Sequence, residues 1–112
     1  MDSINTLMNE RAVALFERYL DECKKDGVYV LLVNSPVYSQ TTKKVKDLDK
    51  LNHYFDSIAQ KYGFKYLNYT ENYPLCDDTL NFCVSVHMNP EATDRFSTDF
   101  ANDLISLGLL SN

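Results

Sequence analysis

The chain has 112 residues, 45% of them hydrophobic and 24% charged, with a formal net charge of −5 at pH 7. That length suits one domain that buries about 60–70% of its unfolded surface, and the composition is that of a globular protein, not a disordered tail. The acidic balance argues against nucleic acid as a partner, no apolar run reaches the ~18 residues of a membrane span, and the N-terminus lacks a secretory-signal layout.

Taken in order, Ala12, Leu15, Phe16, Tyr19, Leu20 and Cys23 recur at three- and four-residue spacing. This predicts an amphipathic helix from Asn5 to Lys25, with Cys23 in the core and Asp26-Gly27 as its stop. Val28 to Val33 is short, β-branched and apolar on both faces, as a strand covered on both sides would be. Asn34-Ser35-Pro36 ends it, and a polar Ser/Gln/Thr stretch leads to a second helix carrying Leu48, Leu51, Phe55, Ile58 and Tyr62. The basic cluster Lys43-Lys44-Val45-Lys46 opens that amphipathic segment and reads as solvated surface. Gly63 caps the second helix, and Phe64 to Tyr69 forms the second strand. A third helix starts at Pro90, after an Asn89 cap, and runs to Leu107, burying Ala92, Phe96, Phe100 and Leu104.

This αβαβ-loop-α order, with right-handed crossovers, makes the two strands parallel with helices on both faces: an α/β, three-layer α/β/α arrangement around a small parallel sheet. Two buried strands expose a pairing edge. Edge-to-edge pairing into a homodimer, a short third strand from Leu80 to Val86, or both together are expected to cover that edge. Ligands of open α/β sheets gather outside the carboxyl ends of the strands, which places Asn34, Ser35, Pro36, the segment Tyr69 to Asp78, and His87 around one rim.

The segment Phe82-Cys83-Val84-Ser85-Val86-His87-Met88-Asn89-Pro90-Glu91-Ala92, followed by Phe96-Ser97, resembles the last block of SGNH (GDSL-type) hydrolases and related acyltransferases, which reads Asp-x-x-His-(Leu/Met)-Asn before a helix. Gly27 to Pro36 and Lys61 to Tyr69 resemble the late strands of the same family, so the similarity runs over residues 10–108. The resemblance implies a flavodoxin-like half-domain, in which His87 is the candidate base and Val84 stands where the acid orienting the imidazole belongs. Losing that orientation in a serine-protease triad costs a factor of about 10⁴. The Gly-Asp-Ser nucleophile block and the oxyanion glycine blocks are absent. Met1-Asp2-Ser3-Ile4 imitates the first only in letters, having no strand before it to aim the serine.

Ser35 is the weak candidate nucleophile and reads better as a turn former before proline. Ser85 shares an extended segment with His87 without assured contact. Asp77 and Asp78 are weak candidate replacements for the acid. A metal set of Cys76, Cys83, His87 and His53 lacks a second paired ligand motif, so no metal and no cofactor is expected. Three cysteines make no disulfide framework, and Cys76 and Cys83 are expected to be reduced thiols. Tyr66, Tyr69 and Tyr73 gather near the end of the second strand as packing, interface or carbohydrate contacts.

The expectation is a single truncated domain over residues 1–112: a degenerate, non-catalytic SGNH-hydrolase-like module that associates with itself or another partner. The alternative is a residual ester hydrolase or acyltransferase, acting on a small-molecule ester or acyl substrate with His87 as base and a serine from Ser35 or another chain. Localisation is expected to be cytoplasmic as written, or outside the cell if the chain is a fragment of a longer one.

Overall fold

Helices form where the apolar spacing predicts them. The computed structural model describes residues 4–5, 9–43, 45–84 and 87–110; Ser3, Lys44 and Ser85 lie outside these. In chain order the elements are β1 (Ile4–Asn5), α1 (Glu10–Lys25), β2 (Leu31–Asn34), the single turn α2 (Ser39–Thr42), β3 (Val45–Lys46), α3 (Leu48–Tyr62), β4 (Lys65–Asn68), β5 (Phe82–Val84), β6 (His87–Met88) and α4 (Pro90–Ser106). Two 3₁₀ turns, Pro74–Asp77 and Thr79–Asn81, precede β5.

Local chemistry sets the boundaries. The first helix starts at Glu10, not at Asn5, because the Asn9 side chain accepts the Ala12 N–H at 3.1 Å and fixes the first turn there. Asn5 belongs instead to β1, which pairs in parallel with β3. At the other end Gly27 takes φ +74, and the Gly27 and Val28 N–H groups bond back to the Lys24 and Cys23 carbonyls. This Schellman closure needs a left-handed residue, which glycine supplies without a Cβ penalty. Gly63 closes α3 in the same way at φ +72, with Phe64 N–H on the Ala59 carbonyl. Lys24 from α1 donates to the Tyr62 carbonyl at 2.6 Å, placing a cation at the negative end of α3. α4 opens as expected: the Asn89 side chain accepts the Ala92 N–H at 2.9 Å, and Pro90 occupies the first turn.

The two predicted strands pair in parallel as β2 and β4, with Leu31 opposite Lys65 and Asn34 opposite Asn68. Both are shorter than their apolar runs. The Val28 and Phe64 N–H groups are already used in closing helices, so pairing begins further along. The core lies on one face of this pair. Leu20, Ile58, Ala59 and Phe64 are buried there, flanked by Phe16, Val30, Leu32, Tyr54, Tyr62 and Tyr66. α1 and α3 therefore share the face that carries Leu32 and Tyr66. On α1 the inward stripe is Phe16 and Leu20, Cys23 is half-buried, and Leu15 and Tyr19, predicted to be core, are exposed at 56% and 61%. The six apolar residues share one stripe about 140° wide, and the helix is turned so that the edge carrying Phe16 and Leu20 meets the core while the edge carrying Leu15 and Tyr19 faces outward.

The chain thus forms an α/β arrangement around a two-strand parallel sheet. Its shortest extent is 19 Å, against 43 and 40 Å in the other directions; a helix is about 10–12 Å across. Val33, which alternates with the core-facing Leu32, stays exposed, as does Tyr29 ahead of β2. α4 packs through Phe96 and Phe100 on Tyr69, just past the end of β4. The segment expected as a third strand does contain one, but β5 pairs antiparallel with β6 in a local hairpin and does not join β2 or β4. A hairpin between neighbours costs less chain closure than reaching a distant edge. No helix among the described residues is long and apolar enough to cross a membrane.

Leu20 is fully buried. Leu20→Ala is expected to lower unfolding stability by about 2–5 kcal/mol, whereas Leu15→Ala, one turn away on the exposed side, should change it by no more than about 0.5 kcal/mol. Urea denaturation followed by circular dichroism measures both.

Candidate functional site

The carboxyl ends of β2 and β4 come together beside one polar stripe of α3. Asp49, Asn52, His53 and Asp56 recur at positions i, i+3, i+4 and i+7, so they share a helix face. Asn52 is buried at 7% exposure and organises the junction. Its Oδ1 accepts from Asn34 Nδ2 at 3.1 Å and from the Tyr66 hydroxyl at 3.2 Å, and its Nδ2 donates to Glu71 at 3.0 Å. Asn34 Nδ2 also donates to the Tyr66 oxygen at 2.8 Å. One amide thereby joins both strands, the helix and the following turn. A buried amide must be satisfied in this way or cost the desolvation of its polar atoms.

Asn52, Tyr66 and Asn68 line a cavity of about 370 Å³ together with Asp49, His53, Asp56 and Glu71. Burial, and then the Glu71 carboxylate, push the Tyr66 phenol up to about 12 against the opposing Asn34 hydrogen bond. Asn68 turns the chain away from the sheet, its Oδ1 accepting from both the Thr70 N–H and hydroxyl.

A second cluster lies just beyond. Tyr69 meets Phe96 edge-on at 4.9 Å between centroids and Tyr73 at 5.4 Å, separations at which such pairs attract. The Tyr69 hydroxyl donates to Asp103 and that of Tyr73 to Asp99. Burial first, and then these carboxylates, raise both phenols. Here Tyr69 and Tyr73 serve as packing that fastens α4. Cys76 is buried and donates its thiol to the Tyr69 carbonyl at 3.2 Å; burial raises its pKa. Pro36 is also buried.

The predicted site residues are not drawn into one constellation. Ser35, Asp77, Asp78 and His87 are all exposed. His87 stands opposite position 84 in the β5–β6 hairpin, and among the described residues no hydroxyl or carboxylate hydrogen-bonds to its ring. Asp78 caps the second 3₁₀ turn by accepting the Leu80 N–H at 2.9 Å. Cys76 and Cys83 are free thiols, one buried and one exposed. Among the described residues no three His, Cys, Asp or Glu side chains are placed to hold a metal ion. Of the predicted rim, Asn34 belongs to the cavity junction. Glu71 falls within the predicted rim segment and His53 enters only through the discounted metal set, whereas Asn52 is reached by neither; polar positions at helical spacing within an apolar helix are the signal that marks it.

In comparisons with protein-family models, curated proteins and solved structures, nothing matches this chain.

Tyr54, held by burial and by Glu17, is also pushed up to about 12. A phenol whose pKa is higher folded than unfolded keeps its proton longer in the fold. Its contribution is therefore complete below pH ~10 and is lost as pH rises through about 12. Phenolate absorbance and circular dichroism recorded together should show these tyrosines ionising only as the chain unfolds. Tyr66→Phe should cost about 1 kcal/mol at neutral pH and make the alkaline loss of stability shallower.

Proposed function

We propose that the chain is a non-catalytic, self-associating α/β module with the layout of a flavodoxin-like half-domain of SGNH-hydrolase type. The sequence resemblance around His87 and the parallel β2–α3–β4 unit support the family layout. The exposed His87 and Ser35, with no serine hydrogen-bonded to the imidazole among the described residues, support the non-catalytic reading.

The outer edge of β2 carries the proposal. Asn34 directs its carbonyl to β4, where it accepts the Tyr69 N–H at 2.9 Å. Backbone groups alternate sides along a strand, so Leu31 and Val33 direct N–H and C=O away from β4. Among the described residues no strand pairs with that edge. The stretch from Gly27 to Val37 contains no charge, whereas β4 carries Lys65, a residue type that protects sheet edges. A two-fold dimer sets identical edges antiparallel. Centred on Leu32, it would pair Val33 of one copy with Leu31 of the other and extend the sheet to four strands.

Light scattering at micromolar concentration should give twice the chain mass. Val33→Pro removes an outward N–H without touching the β4 ladder, so it should give the mass of one chain with an unchanged circular dichroism spectrum. A wild-type mass of one chain would overturn the proposal. Short-chain p-nitrophenyl ester turnover by wild type and His87→Ala should be the same background rate, and a loss on substitution would establish the hydrolase reading instead.

A further inference from the structure

The flank of α1 that carries Leu15 and Tyr19 has an orientation that its neighbours fix. Around a helix turning about 100° per residue, Glu17 and Lys24 stand about 80–100° to one side of Phe16, and Leu15 and Tyr19 about 60–100° to the other. The first side belongs to α3: Glu17 accepts from the Tyr54 hydroxyl at 3.1 Å, and Lys24 donates to the Tyr62 carbonyl at 2.6 Å. Leu15 and Tyr19 therefore face away from α3, and both are more than half exposed. α3 packs on β4, where Phe55 meets Tyr66, while α1 runs directly into β2. The open flank of the helix and the free edge of β2 thus lie on one side of the molecule, where Val28, Tyr29 and Val33 add further exposed apolar surface.

We propose that this flank of α1 packs antiparallel against the same flank of a second copy, an inference that rests on the self-association proposed above. A two-fold axis that sets β2 edges antiparallel leaves both copies of α1 on one face of the sheet and runs them antiparallel too. Charge identifies the occupant. α1 carries four acidic and four basic residues, so an anionic membrane or a nucleic acid gains little from it. Arg11 and Glu22 border the flank just beyond Leu15, with opposite charges at its two ends. Glu22 takes Arg18 on Oε1 at 3.2 Å, which leaves its second oxygen, and among the described residues Arg11 is in no ion pair. In an antiparallel pair centred level with Glu17, Leu15 stands opposite Tyr19 of the other copy. Arg11 then meets Glu22 of that copy to within one residue's rise, about 1.5 Å. Symmetry makes each contact twice. A parallel pair would instead set Arg11 on Arg11 and Glu22 on Glu22, like charge on like.

The test is a dilution series of the full chain by analytical ultracentrifugation, comparing wild type, Leu15→Ala, Arg11→Glu, Glu22→Arg and the double reversal. Leu15→Ala should weaken the dimer about tenfold or more; its small effect on unfolding, given above, is that of the dilute single chain. Each single reversal should weaken the dimer about tenfold, since two attractive contacts become repulsive, and the double reversal should return it to within about threefold of wild type. Both reversals suit the helix dipole, so circular dichroism should be unchanged. A wild-type dimer whose dissociation constant is unmoved by all these variants would overturn this inference and leave self-association standing. A double reversal as weak as the single ones would overturn the antiparallel arrangement, and a single-chain mass for wild type would overturn both proposals. Dissociation in the α1 variants with the dimer retained in Val33→Pro would support the helix contact and remove the β2 edge.

Discussion

Parallel pairing of β2 with β4 is the constraint from which the rest of the structure follows. Two parallel strands cannot be joined by a tight turn, so the chain must travel back along the sheet, and α3 is that return path. Once α3 lies on the sheet, Ile58 and Ala59 meet Leu20, and α1 is drawn alongside. The Lys24 contact with the Tyr62 carbonyl then holds the ends of both helices in step. Because both strands run the same way, their carboxyl ends share one edge, and only there could Asn34, Asn52 and Tyr66 meet.

The same constraint separates what could be read in the residues from what could not. Periodic apolar positions gave the three long helices, and Gly27, Gly63 and Asn89 marked their ends through requirements that are local: a left-handed residue or a capping oxygen. The parallel pair followed from the αβαβ order. The outcome for Leu15 and Tyr19 was not legible, since helical spacing says that residues share a side but not which side finds a partner. β1 with β3, and the hairpin of β5 with β6, are pairings of two or three residues, too short for a periodic signal. The site was half legible. Asn34 could be placed at a strand end, whereas the Asn52 stripe was masked by the stronger apolar repeat of Leu48, Leu51, Phe55, Ile58 and Tyr62 on the same helix.

The His87-Met88-Asn89-Pro90 segment, the strongest motif in the sequence, has a visible structural occupation. Asn89 starts α4, donates its amide to the Leu80 carbonyl, and its backbone N–H bonds the Asn81 carbonyl at 2.8 Å. Asn81 in turn donates to the Leu75 carbonyl at 3.0 Å. The motif thus ties the 3₁₀ turns to the last helix. A residue pattern that resembles a catalytic block can be retained by such duties alone, which are independent of any proton transfer by the imidazole.

The return path also governs how the sheet comes into being. Leu31 and Lys65 are far apart in sequence, and bringing them into register carries a loop-closure cost before any ladder bond repays it. With α3 formed, half of the chain between β2 and β4 is a rigid rod of 15 residues, about 22 Å long, and far fewer conformations remain to be searched. The order of assembly is therefore written into the connection: helix before sheet. Substitutions that weaken α3 would slow the appearance of the strand pair, even where they leave β2 and β4 untouched.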